Sequence, residues 1–130
     1  MTPQLDFLSI VVSDMAAAVA FYQRLGLAFP AGAASESHVE ATLPGGIRVA
    51  LDTEDVVRSF YPGWQATPGG GRIGMAFRCA DAAEVDSVFA ALTDAGYKGE
   101  LEPFDAGWGQ RYAVVQDPDG NGVDLYAPLP

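Results

Sequence analysis

Asp117-Pro118-Asp119-Gly120-Asn121, followed by the alternating run Val123-Asp124-Leu125-Tyr126, closes the chain with a turn and a strand. Pro fixes one φ angle and Gly accepts a positive one, so Asp-Pro-Asp-Gly is a strong turn signal and joins Tyr112–Gln116 to Gly122–Tyr126 as a hairpin. Upstream, Ile73-Gly74-Met75-Ala76-Phe77-Arg78-Cys79-Ala80-Asp81 reads as a strand that stops at an acidic residue. A helical segment through Val85, Val88, Phe89 and Leu92 follows and ends at Ala95-Gly96, before a strand near Gly99–Glu102.

The first half of the chain says the same thing. Leu5 to Val12 alternates and is rich in β-branched residues, and Asp14 stands where a helix N-cap belongs. Met15, Ala18, Val19, Tyr22 and Leu25 fall on one helical face, and Gly26 supplies the left-handed stop. Glu36–Leu43 and Ile47–Asp52 read as strands joined by Pro44-Gly45-Gly46, whose glycines allow a tight hairpin. This half reads β-α-β-β, with a further strand left open. Thr67-Pro68-Gly69-Gly70-Gly71 is the linker, because it buries nothing and permits many backbone angles.

The expected fold is therefore α+β: a single domain of two βαβββ modules, about 1–66 and about 67–130, forming a curved mixed sheet around a cleft. A chain that uses one unit twice makes its site where two copies or two subunits face each other. If the modules exchange partners between chains, that surface forms in a domain-swapped dimer.

At 130 residues the chain fits one domain, and that length buries about two thirds of the unfolded surface. Nearly half the residues are apolar, so a packed domain is expected rather than disorder. Cys79 is the only cysteine, which excludes an internal disulfide or a cysteine zinc cluster, fits a reducing compartment, and reads as a small hydrophobe in a buried strand. No apolar run approaches the ~20 residues that span a bilayer, and the N-terminus lacks the pattern of a signal peptide. A cytoplasmic protein with no membrane partner is expected. Seven Lys and Arg stand against seventeen Asp and Glu, a formal net charge of −10, which opposes binding to a nucleic-acid backbone. An acidic surface serves solubility and also suits a cationic small molecule.

Val12-Ser13-Asp14-Met15 with Phe21-Tyr22 and Leu25-Gly26, then Ala95-Gly96-Tyr97 and the closing Asp117–Asn121 turn, resemble the vicinal-oxygen-chelate superfamily. That superfamily contains glyoxalases, fosfomycin-modifying enzymes, ring-cleaving dioxygenases and bleomycin-resistance proteins, and the resemblance covers nearly the whole chain. Within it, the chain looks most like the mitomycin-resistance binding proteins. The finer likeness lies in His38-Val39-Glu40-Ala41, Gly45-Gly46-Ile47-Arg48, Val57-Arg58-Ser59, Trp64-Gln65-Ala66 and Trp108-Gly109-Gln110-Arg111-Tyr112-Ala113.

Enzymes of that superfamily take a His from the first strand of each module and a carboxylate from the last, since a divalent ion needs several converging N or O ligands. Here Phe7 and Gly74 fall where the histidines would stand, Asp124 fills one carboxylate position, and Ala50 fills the other. His38, the only histidine, shares a strand face with Glu36 and Glu40, and no second imidazole exists. The expectation is no metal and no cofactor. There is no Gly-x-Ser-x-Gly elbow and no phosphate loop, so no catalytic residue is assigned.

What remains is a cleft that binds. Phe7, Phe60, Tyr61, Trp64, Phe104, Trp108, Tyr112 and Tyr126 are placed to point inward or flank its mouth, and aromatic faces hold planar ligands well. The resemblance implies a flat polycyclic drug held between Trp108 and His38. Arg48, Asp52 and Arg111 are candidates for orienting polar contacts, and Asp124 for a hydrogen bond. The expected ligand-binding set is thus Trp108, His38, Phe7, Asp52, Tyr112, Trp64, Arg48, Arg111, Asp124, Phe104 and Tyr126.

The functional expectation is a homodimer that sequesters a planar antibiotic without chemistry, with mitomycin-like drugs, quinone-fused enediynes and bleomycin-like glycopeptides all open. The competing reading is an enzyme: a metal-independent lyase, isomerase or hydrolase using Asp124 or His38 as general base, or a metal enzyme with other ligands. A third is a carrier for a biosynthetic intermediate.

Overall fold

The fold comes from a computed structural model, which describes residues 2–67 and 72–130; the linker expected at 67–71 lies, from Pro68 to Gly71, outside them. The chain divides into two compact units, Met1–Ala66 and Thr67–Pro130.

In the first unit, β1 (Phe7–Val12) leads into α1 (Met15–Arg24), then a 3-10 turn at Ala33–Ser35, β2 (His38–Thr42), β3 (Arg48–Thr53) and α2 (Glu54–Phe60). Asp14 caps α1 by accepting from the Ala17 amide at 3.1 Å, and Gly26 ends the helix at φ +92°. The predicted face holds, because Met15, Ala18, Val19 and Tyr22 are buried. The strand order is β1-β3-β2, with β1 parallel and β2 antiparallel to β3. Gly45 and Gly46, at φ +93° and +92°, form the β2–β3 hairpin as its glycines require. Val12, Phe21, Tyr22, Val49 and Leu51 are the fully buried core between sheet and helix. Each contributes roughly 1.5–3 kcal/mol relative to an exposed side chain.

No helix or strand is expected from the sequence at residues 54–60, yet they form α2. Thr53 accepts from the Val56 amide at 3.3 Å, Glu54 and Asp55 occupy the first turn and Arg58 the last, which is the polarity a helix dipole favours.

The second unit runs β4 (Met75–Arg78), α3 (Ala82–Asp94), β5 (Gly99–Ala106), β6 (Gln110–Gln116) and β7 (Gly122–Pro128), with strand order β4-β7-β6-β5. It is a complete βαβββ module, and the first unit forms three of the four strands. Asp81 caps α3 by accepting from the Glu84 amide at 2.8 Å, and the Glu84 carboxylate accepts in return from Ala80 at 3.0 Å. Strand β5 runs past the expected Glu102 to Ala106. It is an edge strand, where Pro103 leaves no interior ladder unmade, and its register shifts between Leu101 and Phe104. The closing turn forms as read: Gly120 lies at φ +86°, and the buried Asp117 carboxylate accepts from the Asp119 and Asn121 amides at 2.9 and 2.8 Å and from Asn121 Nδ2 at 2.8 Å. Val85, Leu92, Val115, Val123 and Leu125 form this unit's core.

Candidate functional site

Strand alternation gives each sheet a helix-covered face and an open face, and cross-strand partners share a face. In the first unit the pairs Phe7–Arg48, Ser9–Ala50, Val11–Asp52, His38–Asp52, Glu40–Ala50 and Thr42–Arg48 lie on the open face. Their polar members form one continuous network. Ser9 Oγ donates to Asp52 Oδ2, and the other oxygen of Asp52 bonds His38 Nδ1. The second ring nitrogen, Nε2, meets Glu40 Oε2 at 2.8 Å, and Glu40 Oε1 accepts from Arg48 Nη1 at 2.7 Å. Arg48 also donates to Asp6, and its guanidinium lies 5.1 Å from the centroid of the Phe7 ring.

A carboxylate at each ring nitrogen favours the protonated imidazole. Hydrogen bonds to Asp52 and then Glu40 raise the His38 pKa above its ordinary value, and His38 and then Arg48 hold the Glu40 carboxyl below its own. Both ring nitrogens of His38 are engaged, so the ring offers a ligand its face rather than a free nitrogen. It is a poor general base for the same reason.

In the second unit, Phe104, Tyr112 and Tyr126 are successive cross-strand neighbours on the open face, and Asp124 follows Tyr126 on that face of β7. Trp108 stands in the β5–β6 turn, 63% exposed. Its ring meets Tyr112 edge-on at 5.5 Å between centroids and Phe104 edge-on at 6.2 Å, while Tyr112 stacks on Tyr126 at 6.4 Å. The indole Nε1 donates to Gln110 Oε1 at 2.8 Å, which fixes the ring's tilt. Gly109, at φ +89°, makes the turn that carries it. Tyr112 donates its hydroxyl to Asp124, and this bond, with burial, pushes the phenol up to about 12.

The structure thus gathers Phe7, His38, Arg48 and Asp52 on one open face, and Phe104, Trp108, Tyr112, Asp124 and Tyr126 on the other. Two expected ligand contacts stand apart. Arg111 is one residue out of phase with Tyr112, so it points to the helix side of its sheet, where it donates to Asp86 of α3 at 2.9 Å and to Asp105 at 3.1 Å. It is a strut between helix and edge strand. Trp64 follows α2, and its ring carries the Arg58 guanidinium at 5.2 Å from the centroid. Sequence reasoning missed Ser9 and Gln110, and weighed Glu40 only as a metal ligand; alternation from Phe7 and from Tyr112 would have placed Ser9 and Gln110 on the open faces.

The two units can be aligned through their registers. Ser9 pairs with Ala50 in one and Ala76 with Asp124 in the other, so Ala50 and Asp124 are equivalent, as are Phe7 and Gly74 two residues upstream. Neither unit's positions suit a divalent ion: the first offers a phenyl ring and a methyl group, the second a glycine and one carboxylate already bonded to Tyr112. Among the described residues no three His, Cys, Asp or Glu side chains converge as a metal group.

Two successive strand–helix–sheet units of this topology, with open faces carrying polar and aromatic clusters, define a glyoxalase-type fold. The family model for the Glyoxalase/Bleomycin resistance protein/Dioxygenase superfamily matches residues 4–125, and the chain belongs to that superfamily. Solved structures share the fold. A glyoxalase/bleomycin resistance protein/dioxygenase family enzyme from Burkholderia phytofirmans is 18% identical at TM-score 0.80, with 98% of this chain and 100% of that one covered. A glyoxalase-related enzyme from Fulvimarina pelagi is 19% identical at TM-score 0.80, with 97% and 88% covered. A hypothetical protein from S. aureus is 19% identical at TM-score 0.79, with 98% and 94% covered. No curated protein sequence matches the chain significantly. No helix of the described residues is long and apolar enough to cross a membrane.

Proposed function

We propose that this protein is a non-catalytic, cytoplasmic homodimer that binds and sequesters a planar, quinone-like or polycyclic antibiotic, mitomycin-like in the first instance. The observation that carries this reading is Trp108: a large ring left 63% exposed, yet held in orientation by Gln110 and by the edges of Phe104 and Tyr112. An exposed, preorganised indole loses little entropy when a flat ligand stacks on it. The His38 ring, held between two carboxylates, offers a second ring face. Superfamily membership supports the reading, because the superfamily includes bleomycin-resistance proteins.

Titration of tryptophan fluorescence with mitomycin C, bleomycin and an anthraquinone-fused enediyne, with the ligand weighed by mass spectrometry afterwards, tests it. Saturable quenching and intact ligand are the expected result, and Trp64→Phe assigns the quenching to Trp108. The competing reading, a metal-independent lyase or isomerase, draws on the Tyr112–Asp124 pair. Ligand recovered with a changed mass would replace sequestration with that reading.

A further inference from the structure

The two units differ at one sheet edge. Counting from Gly26 and Gly96, which end the helices, the residues of the first unit equivalent to β5 are 29–36. Their sequence is Phe29-Pro30-Ala31-Gly32-Ala33-Ala34-Ser35-Glu36. Pro30 has no amide hydrogen for a ladder, Gly32 turns the backbone at φ +80°, and Ala33–Ser35 closes as a 3-10 turn against α1. No strand forms there, and β2 is left as the sheet's edge.

The backbone phase of that edge is fixed. Thr53 donates to the Ser37 carbonyl at 2.9 Å and Leu43 to the Ile47 carbonyl at 2.8 Å, so alternate residues from Ser37 face β3. His38, Glu40 and Thr42 therefore aim their N–H and C=O groups away from the sheet, and among the described residues these groups have no hydrogen-bond partner. An open groove of roughly 590 Å³ is lined by residues of this strand, His38, Glu40 and Thr42, and of the preceding segment, Pro30, Ala33 and Glu36.

We propose that the open edge of β2 takes up an extended, basic peptide segment as an added strand. The bonding groups are those that β5 satisfies in the second unit, and their spacing suits strand addition. Charge selects a cation: Glu36 has no side-chain partner among the described residues, and the chain carries a formal net charge of −10. A second copy fits less well, since the antiparallel register that uses all three residues of both strands sets Glu40 against Glu40, and like charges directly opposite repel. This site uses the main chain of β2 and stands independently of drug binding.

The test is fluorescence anisotropy with the full-length protein and labelled, end-blocked Val-Lys-Val-Lys-Val. We expect saturable binding that weakens at least about tenfold when every peptide amide is N-methylated, when Lys is replaced by Glu, and in Thr42→Pro, which removes one outward N–H. Circular dichroism melting establishes that Thr42→Pro is folded, and Glu36→Lys, outside the strands, gives the same loss without touching β2. Three results would overturn the proposal: no binding of the probe, equal binding of the N-methylated peptide, or conversion of a dimer to a monomer by Thr42→Pro, which would assign the edge to a second copy.

Discussion

Trp108 and His38 are the two rings on which the binding reading turns, and they are held by different physics. Trp108 is fixed by one hydrogen bond and two ring edges while its face stays in solvent. Its removal should therefore leave the fold almost intact, within about 0.5 kcal/mol, and weaken drug binding by roughly tenfold or more, the value of one lost aromatic stack of about 1.5 kcal/mol. Paired melting curves and titrations of Trp108→Ala check both halves, and unchanged affinity would end the stacking model. His38 is fixed by charge. Because Asp52 and Glu40 raise its folded-state pKa above 6.5, its contribution to stability is complete below pH 6.5 and fades as pH rises through the raised value. Glu40, lowered from 4.5, contributes above pH 4.5 and loses that contribution as pH falls through its lowered value. The melting-temperature difference between wild type and His38→Gln should be greatest between pH 4.5 and 6.5 and shrink in alkaline solution; a flat difference would refute the coupling.

At the scale of elements, turns and caps hold what packing alone would leave loose. Asp117 is 5% exposed and ties three N–H groups of the last hairpin. Asp117→Ala leaves those donors to find water and should cost about 2–3 kcal/mol in a urea-unfolding experiment. Thr53→Ala removes the α2 cap and should cost about 1 kcal/mol, read as a lower urea midpoint. The Thr53 cap and its charge pattern are legible in the sequence, but Thr53 also ends a strand, and the strand pattern of Ile47–Asp52 masks the start of the helix. Residues 29–36 show the converse. Pro30 and Gly32 signal a broken strand, although only the neighbouring β2, with its outward main chain, gives that break a consequence.

For the whole molecule, the proposed homodimer and the acidic charge make separate predictions. Sedimentation equilibrium should give twice the chain mass, and a monomer at micromolar concentration would remove the homodimer from the proposed function. A formal charge of −10 favours cationic ligands at long range, so a bleomycin-like ligand should bind more weakly as salt rises from 0.05 to 0.5 M, as screening shortens the Debye length from above about 10 Å to below it. A neutral quinone should change little, which separates stacking from steering. Superfamily membership was legible from the chain because a capped helix after a strand recurs in both halves and the second half closes on the Asp-Pro-Asp-Gly hairpin.

The sequence by itself determined the features that depend on neighbours along the chain: the Asp14 and Asp81 caps, the glycine stops, the β2–β3 hairpin and the Asp117 turn. Strand alternation also placed His38 and Glu40 on one face. Only the tertiary structure decided which side chains meet across strands. Asp52 reaches His38 because antiparallel pairing sets them opposite each other, and Tyr112 reaches Asp124 across the β6–β7 pair. Arg111, one residue from Tyr112, is turned to α3 by the same alternation. Pairing register couples residues far apart in the chain, and a shift of one position exchanges the open face for the buried one.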